Sequence, residues 1–418
     1  MSIEVIDPTL EFLYGLHNRG IKLGLKNIES FLKICGDPHR EIKTIHLAGT
    51  NGKGSTASII AKILQKNGYK VGLYTSPHLI NFNERVRVDG MPISDEEIVN
   101  FIEQHKQTLV DSSITFFEAT TALAFKYFAK QNVDIAIVET GLGGRLDSTN
   151  VLSPIQTIIT EIHYDHTHIL GDSIEEITTE KCGIFKNDIP SITINSDKRV
   201  IKTIKDQASV KNVEVSFIEK EDIIIQNQTS ESVDFDYNKQ KFSLPQAGSY
   251  QTQNAMLAIK ACQNNFSQLK DKDIQTGLDE WYWPGRMQLM KQDFFYDVAH
   301  NRNGVGTLVQ DLKKIYSQKP IGVLVLKNDK INPELVEIFS KSFERLIIST
   351  IPSKDILSKE EIINNPLLQQ FEFIESLHEA LAMIDKLEHP GGKVIFGSHY
   401  VAKEVYKFFD FSFDNGII

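Results

Sequence analysis

A glycine-rich segment near the start of the chain has the residue types that bind phosphate. Residues 44–64, TIHLAGTNGKGSTASIIAKIL, have the pattern of a buried strand, a glycine loop and an amphipathic helix. Glycines let backbone N–H groups approach phosphate oxygens, Lys53 would neutralise those oxygens, and Ser55 or Thr56 would offer a hydroxyl at the helix start. The spacing departs from GxxxxGKS/T, because Leu47 stands where the first glycine is expected. We interpret the segment as a nucleotide-phosphate loop rather than an ordinary turn.

Acidic and imidazole side chains follow two other strand-like runs. Glu139 comes directly after the apolar run DIAIV, where the carboxyl end of a parallel strand would place it over the phosphate loop. A carboxylate there would suit Mg²⁺, although an acid at a strand end is often only a surface residue. His163, His166 and His168 lie close enough in sequence to hold zinc instead. These residues alone leave both metals open.

The elements that would position these residues alternate between strand-like and helical runs, which indicates a mostly parallel sheet with crossover helices. Strands are predicted at 42–48, 70–75, 134–140, 155–162 and 190–195, and helices at 55–67, 94–106, 116–131 and 173–185. Ser94 and Glu97 form a capping-box pattern at the start of the second helix. Four short segments between about 210 and 245 (VEVSF, DIIIQ, VDFDY and KFSL) predict a small antiparallel addition.

A second alternation begins after Pro284 and Gly285, which interrupt the pattern. A helix is predicted before them at 251–263, and strands after them at 294–298, 321–326, 345–350 and 393–397. We therefore expect two α/β domains, an ATP-binding P-loop domain over 1–287 and a Rossmann-like domain over 288–418. A cleft between such domains is where chemistry is expected.

Composition limits the classes of protein that need to be considered. The 418 residues carry a formal net charge of −10, which argues against non-specific nucleic-acid binding. No apolar run is long enough to span a membrane, and the first residues lack the pattern of a signal peptide. Three cysteines form no disulfide or metal-binding pattern. We expect a cytoplasmic α/β protein, monomeric by default, that acts on small molecules.

Eight ordered motifs resemble those of one enzyme family. They are GTNGKGS, TSPHLINFNERVRVDG, ETGLGGRLDSTN, DHTHILG, EKCGIFK, PGR, DVAHN and FGSHY. The set is similar to the folylpolyglutamate synthase and dihydrofolate synthase family of the Mur ligase superfamily, in its bacterial bifunctional form. The resemblance implies an ATP-dependent amide ligase that adds L-glutamate to folates and to 7,8-dihydropteroate through an acyl phosphate.

The resemblance also implies a role for individual residues. The ATP-binding set is Asn51, Gly52, Lys53, Gly54, Ser55, Thr56, Asn254, Arg286 and Asp297. Two magnesium ions would be held by Ser76, Glu139, His166 and Lys181, with Asp165 orienting His166. Lys181 would carry a carbamate formed from CO₂, which needs a buried, neutral amine; a surface ion pair with Glu180 is the alternative.

The implied substrate residues complete the set. Folate or pteroate would contact Phe117, Asp147 and Ser148, and the incoming glutamate would contact Arg85, His300 and Ser398. Lys53, Lys181, Arg286 and His300 would be the catalytic residues. Arg302 is a departure, because the family has proline at that position.

Two other functions remain open at this point. Another amino-acid ligase of the superfamily would share the phosphate loop and the magnesium ligands. A P-loop GTP-binding switch is a different class, but it needs a guanine-reading NKxD segment after a strand of the nucleotide domain, and this sequence has none there.

Overall fold

The structure, a computed structural model, describes residues 3–20, 24–328 and 330–412. Contacts among these residues separate two compact units. The first runs to Asp222 and includes Gln253–Trp281, and the second combines Ile223–Thr252 with the chain from Tyr282 onward. Residues 223–252, which the sequence placed in the N-terminal domain, thus group with the C-terminal part. The domain boundary predicted between residues 287 and 288 stays a prediction.

The first unit is built on a mostly parallel sheet. Its strands are β1 Thr44–Ala48, β2 Val71–Tyr74, β3 Val86–Val88, β4 Met91–Pro92, β5 Ile135–Glu139, β6 Gln156–Ile159, β7 Ser191–Thr193 and β8 Val215–Phe217. Among the described residues the order is β4-β3-β2-β5-β1-β6-β7-β8, and only β3 and β4 run antiparallel to their neighbours. Every residue of β1 and β5 is buried, as expected for central strands covered on both faces.

Helices flank this sheet and determine where the loops emerge. They are α1 Ile3–Gly15, α2 Lys26–Ile34, α3 Lys53–Lys66, α4 Asp95–Asp111, α5 Phe116–Gln131, α6 Thr167–Leu170, α7 Ile174–Cys182, α8 Lys198–Val210, α9 Tyr250–Asn265 and α10 Asp271–Asp279. At the start of α4 the Ser94 side chain accepts from the Glu97 N–H, so this half of the predicted capping box is present. Thr115 and Glu118 form a complete capping box at the start of α5.

One predicted strand belongs to a different sheet. The segment VEVSF contributes β8, which pairs in parallel with β7 at the edge of the large sheet. The assignment to the small antiparallel sheet was wrong because α8 crosses over between β7 and β8, and a crossover returns the chain in the same direction. The other three segments form an antiparallel sheet in the order β11-β10-β9, with β9 Ile223–Gln228, β10 Val233–Tyr237 and β11 Gln240–Leu244.

The second unit has its own mixed sheet. Its strands are β12 Gln288–Lys291, β13 Phe294–Asp297, β14 Ile321–Leu324, β15 Arg345–Thr350, β16 Glu372–Ser376 and β17 Lys393–Phe396, in the order β12-β13-β17-β14-β15-β16. All pairings are parallel except that of β12 with β13. The helices of this unit are α11 Arg302–Ile315, α12 Pro333–Ser342, α13 Lys359–Asn364, α14 Leu377–Asp385 and α15 Ala402–Phe408. Among the described helices, none is both long and apolar enough to cross a membrane.

Candidate active site

The glycine loop connects β1 to α3, as the sequence predicts. Helix α3 begins at Lys53, so Gly54, Ser55 and Thr56 form its first turn. Gly52 has φ +89°, and a Cβ there would lie 2.2 Å from Oδ1 of Asn254. Glycine is therefore required by both backbone conformation and space. The predicted ATP residue Asn254 packs against the loop, with Thr56 Oγ1 donating to its Oδ1 over 3.5 Å.

A segment that follows β6 supports the same loop. The backbone N–H of Thr50 donates to the carbonyl of Glu161 over 2.7 Å, and the Thr50 hydroxyl donates to the carbonyl of His163 over 3.0 Å. The Glu161 carboxylate is paired with Lys220 and lies 3.6 Å from Nε2 of His163. Burial acts to raise the pKa of Glu161, but His163 and Lys220 outweigh it and hold that pKa at about 2. The backbone carbonyl of Glu161 thus supports the loop, while its charged carboxylate contacts Lys220 and His163.

Three of the predicted catalytic or metal residues meet beside the loop. Lys53 Nζ lies 3.8 Å from Oε1 of Glu139 and donates to the carbonyl of Gly49 over 3.2 Å. The other carboxylate oxygen of Glu139 accepts from the backbone N–H of Ser76 over 3.1 Å. The carboxylate of Glu139 and the hydroxyl of Ser76, whose backbone N–H contacts that carboxylate, are hard oxygen donors of the kind that Mg²⁺ uses when few of its ligands come from the protein. The residues therefore fit a magnesium ion.

Lys181 contacts the phosphate loop through its side chain. Its side chain is buried, and Nζ donates to the carbonyl of Gly49 over 2.7 Å, the same carbonyl that accepts from Lys53. Burial, followed by the positive charge of Lys53, lowers the pKa of Lys181 to about 7. The surface ion pair considered from the sequence is instead made by Glu180 with Arg145, at 2.8 Å. A lowered pKa favours the neutral amine that carbamate formation needs.

The histidine-rich segment separates into two groups. His166 has φ +49° and precedes α6; its backbone N–H donates to Asp165 Oδ1 over 2.9 Å, and its Nε2 lies 3.9 Å from Asp165 Oδ2. The His166 and His168 ring centroids are 6.2 Å apart. His163 instead pairs with Glu161, as described above. The contact between Asp165 and His166 is consistent with an orienting role for the aspartate.

The predicted folate residues lie around the GLGGRLDST loop that follows β5. Phe117 packs over Gly141, where a Cβ would lie 2.2 Å from the ring. Burial raises the pKa of Asp147, whose carboxylate accepts from the N–H groups of Leu142 and Thr149 over 2.9 and 3.0 Å. The Ser148 hydroxyl lies 2.7 Å from that of Thr121. Asp147 and Ser148 thus fix the shape of this loop, and their contact with folate stays a prediction.

Arg85 follows the TSPH segment and is buried. Its Nε donates to Nδ1 of His78 over 2.8 Å, and its guanidinium carbon lies 5.3 Å from the centroid of the Phe116 ring. Burial lowers the pKa of Arg85, although nearby groups, including Glu139, favour its charged form.

In the second unit, Asp297, His300 and Ser398 lie at or just after the carboxyl ends of β13 and β17, which are parallel neighbours. Arg286 lies before β12, and its Nη1 donates to the Gly285 carbonyl over 3.1 Å. Asp297 accepts from the N–H groups of Met287 and Ala299, both over 2.7 Å, and from the hydroxyl of Tyr250 over 3.1 Å. Burial raises its pKa. His300 and Ser398 directly follow these two strand ends. Nδ1 of His300 lies 2.9 Å from the Val298 carbonyl, and the Ser398 hydroxyl accepts from the Tyr400 N–H over 3.1 Å.

Sequence reasoning missed three supporting residues. Gln246 contacts the loop that carries Arg286, donating to the carbonyls of Trp283 and Arg286. Glu161 and His78 were also missed, although both lie inside or beside quoted motifs. The signal was weak in each case, because these side chains act on residues that are distant in sequence or on a turn whose shape was unknown.

Comparisons with known proteins show which family this chain resembles. A profile described as the Mur ligase middle domain matches residues 47–262. A dihydrofolate synthase/folylpolyglutamate synthase of Bacillus subtilis is 38% identical over 334 residues, which cover 75% of this chain and 77% of that protein. This chain belongs to the folylpolyglutamate synthase and dihydrofolate synthase family of Mur ligases.

Solved structures of the family have the same fold. The folylpolyglutamate synthase of Thermotoga maritima matches with a TM-score of 0.82 and 33% identity, over 96% of this chain and 97% of that one. A bifunctional folylpolyglutamate synthase/dihydrofolate synthase with Mn, AMPPNP and L-glutamate bound matches with a TM-score of 0.83 and 26% identity, over 96% of this chain and 97% of that one. The predicted family and fold class are therefore confirmed.

Proposed function

We propose that this protein is an ATP-dependent ligase that forms an amide between L-glutamate and a folate, and between L-glutamate and 7,8-dihydropteroate. The observation that carries the proposal is the arrangement of Lys53, Glu139 and Lys181 around a glycine loop with a buried strand behind it and a helix N-terminus in front. Such an arrangement suits the binding of a nucleoside triphosphate whose terminal phosphate is directed towards an acceptor.

ATP and a divalent cation are the expected cofactors. The loop residues 51–56, Asn254, Arg286 and Asp297 are the residues predicted to bind ATP. Ser76 and Glu139 would hold one magnesium ion, and His166 and carbamylated Lys181 would contribute to a second. The support for the carbamate is the burial of Lys181 and its lowered pKa. Bound magnesium would neutralise phosphate charge during transfer.

The reaction would proceed through an acyl phosphate. The acid substrate, bound near Phe117, Asp147 and Ser148, would attack the γ-phosphorus of ATP with a carboxylate oxygen, and ADP would leave. The amine of L-glutamate would then attack the acyl carbon, releasing phosphate and a proton. Lys53 and Arg286 would stabilise charge on the transferred phosphoryl group, and His300 and Ser398 would bind the incoming glutamate.

Both ligase activities belong to the proposal, as does a cytoplasmic, monomeric state. Among the relatives, the Bacillus subtilis protein and the complex with AMPPNP are named for both activities, whereas the Thermotoga maritima protein is named for one. The net charge of −10 supports small-molecule substrates rather than nucleic acid.

Glutamate-dependent ADP release tests the proposal. Purified protein is given ATP and Mg²⁺ with either dihydropteroate or tetrahydrofolate, with and without L-glutamate, and the amide product is identified by mass. Turnover with both acids supports both activities, and turnover with tetrahydrofolate alone restricts the protein to polyglutamylation. Turnover with neither would contradict the folate assignment and favour another amino-acid ligase of the superfamily.

A further inference from the structure

Arg85 is a buried cation whose charge has no counterion among the described residues. Its side chain is 8% exposed, and its contacts there are the hydrogen bond from Nε to His78 and the ring of Phe116. The two terminal nitrogens of its guanidinium have no partner in the described part of the chain. Burying a charge without a partner destabilises a protein. An anionic ligand would supply the missing partner.

The neighbouring acid, Glu84, favours the charged form of Arg85 electrostatically but forms no ion pair with it. The carboxylate of Glu84 accepts from the backbone N–H groups of Leu79, Ile80 and Asn81, at 2.8 Å for Leu79 and 2.9 Å for Ile80. These bonds close the turn between the TSPH segment and Arg85. Glu84 is therefore occupied by its own loop, and the guanidinium fork remains available for a ligand.

Nearby residues indicate which anion the fork receives. Phe116, which stacks on Arg85, is followed directly by Phe117, the residue over Gly141 that we assign to the acid substrate. Glu139 beside the phosphate loop acts electrostatically on Arg85. The carboxylate that is phosphorylated must lie near that loop. Arg85 therefore belongs with the acid substrate rather than with the incoming glutamate, to which the family resemblance assigned it.

We propose that His78 positions the guanidinium of Arg85 so that its two terminal nitrogens bind the carboxylate of the acid substrate. Nδ1 of His78 is the hydrogen-bond acceptor, so its ring proton is on Nε2, and the bond fixes the plane of the guanidinium. A planar fork held in one orientation is the geometry that binds a carboxylate through two hydrogen bonds. This inference rests on the proposed function, because it names the substrate group that the ligase activates.

Two variants test the two residues separately. Arg85→Lys loses the fork, and His78→Phe keeps an aromatic ring but removes the acceptor. Each should raise the KM for dihydropteroate about tenfold to a hundredfold, the range expected for the loss of charge-assisted hydrogen bonds to the carboxylate. The KM values for ATP and L-glutamate should change by less than about threefold on the same scale. His78→Asn, whose amide oxygen can take the place of Nδ1, should recover most of the loss.

Arg87→Lys is the matched control. Arg87 is also buried and lies two residues further on, but its Nη1 donates to the carbonyl of Gly90 over 3.0 Å. Its substitution should lower Tm through lost packing while the KM for dihydropteroate stays near that of the wild type. A Tm measured for every variant separates misfolding from a loss of substrate binding.

Direct binding provides the decisive readout. Arg85→Lys and His78→Phe should weaken the binding of pteroate but not that of a pterin fragment without the carboxylate. An equal loss for both ligands, a rise in the glutamate KM instead, or a failure of His78→Asn to recover binding would overturn the inference. If the wild type shows no glutamate-dependent turnover with any folate acid, the proposed function itself fails, which is a different outcome.

Discussion

Lys181 is the residue in which burial and function are most closely connected. Its amine is enclosed, donates to the Gly49 carbonyl and lies close enough to Lys53 for the two charges to repel. Without ligands this arrangement destabilises the protein, because a protonated amine is removed from water and forms no ion pair with a carboxylate of the described residues. With a carbamate, the same position would present an anion to a metal ion beside the ATP phosphates.

The stability of the protein without ligands should therefore depend on Lys181 in a defined pH window. The folded-state pKa of about 7 lies below the ordinary 10.5, so the unfolded state binds more protons between these values. The contribution of Lys181 to stability is present above pH 10.5 and is lost as the pH falls towards 7. Lys181→Met should be more stable than the wild type at pH 7, and its advantage should shrink as the pH rises, although activity is lost.

Chemical denaturation in CO₂-free buffer at several pH values checks this prediction. Lys202→Met is a suitable comparison, because Lys202 lies on α8 and 82% of its side chain is exposed. A constant difference in free energy of unfolding between wild type and Lys181→Met across the pH range would contradict the interpretation.

The sequence predicted which residues contribute to the candidate site better than it predicted their surroundings. Lys53, Glu139 and Ser76 were chosen from motifs, and the structure brings them together. The burial of Lys181 and the bracing of the loop by Glu161 could not be predicted, because both depend on elements that are far apart in the chain. The local sequence does not indicate which distant carbonyl or amide a side chain will contact.

The phosphate loop is held in position by contacts with two other segments of the first unit. It is held on one side by Asn254 against Gly52 and on the other by Glu161 against Thr50. Both contacts lie within the first unit, so the loop has its shape before any ligand arrives. A preorganised loop lets the backbone N–H groups of the first helical turn face phosphate without a conformational cost.

Gly52→Ala should therefore damage ATP use far more than a similar change at the other end of the same helix. The new Cβ would collide with Oδ1 of Asn254 and displace the loop, and a displacement of about 1 Å can cost about a hundredfold in rate. Gly68→Ala is the matched control, since Gly68 has φ +85° but nothing within 4 Å of its added Cβ.

Steady-state kinetics and thermal unfolding separate the two effects. We expect Gly68→Ala to lose about 1 kcal/mol of stability from backbone strain while keeping its KM for ATP. Gly52→Ala should lose about a hundredfold in kcat/KM for ATP. Equal kinetic effects in the two variants would show that Asn254 does not define the loop.

Elements with strong periodicity were predicted well, and edge elements were not. The helix Phe116–Gln131 and the strand Arg345–Thr350 have the predicted bounds. The edge strands β12 and β16 were missed because QLMK and EFIES are short and mix polar with apolar residues, as a strand with one unpaired side can. The wrong sheet for β8 has the same origin, since β8 is also an edge strand.

At the scale of the whole molecule, the chain passes from one unit to the other more than once. The second unit takes Ile223–Thr252 from the middle of the sequence and continues from Tyr282. Asp311 of α11 joins these two segments. Its buried carboxylate accepts from Nε2 of Gln228 over 3.0 Å and from the backbone N–H of Ser249 over 2.9 Å.

Asp311→Ala should consequently destabilise the second unit strongly. It removes the acceptor of the Ser249 backbone N–H and one of the two acceptors of the Gln228 amide, which also donates to the Ala247 carbonyl, at a cost of about 1–3 kcal/mol. Gln310→Ala, at an exposed position on the same helix, should change stability by less than about 0.5 kcal/mol. Urea unfolding measures both, and comparable stabilities would show that Asp311 does not join the segments.

Sequence patterning predicted two α/β domains but not this interleaving. The three-stranded sheet β9–β11 lies in sequence between elements of the first unit, and a linear reading places it there. Which unit it joins is decided by contacts such as Asp311 with Gln228, between residues that are distant in sequence. The ordered motifs still predicted the family, because they contain the functional residues of the loops. Those residues do not depend on which unit each segment joins.

In the proposed reaction, a carboxylate is activated by phosphorylation before it receives glutamate. The most direct test uses an acid substrate labelled with ¹⁸O in both oxygens of its reactive carboxylate, together with ATP, Mg²⁺ and L-glutamate. We predict that each turnover transfers one ¹⁸O to inorganic phosphate and leaves the other in the amide product. Phosphate without ¹⁸O, formed while the amide accumulates, would contradict an acyl phosphate and with it the proposed role of the phosphate loop.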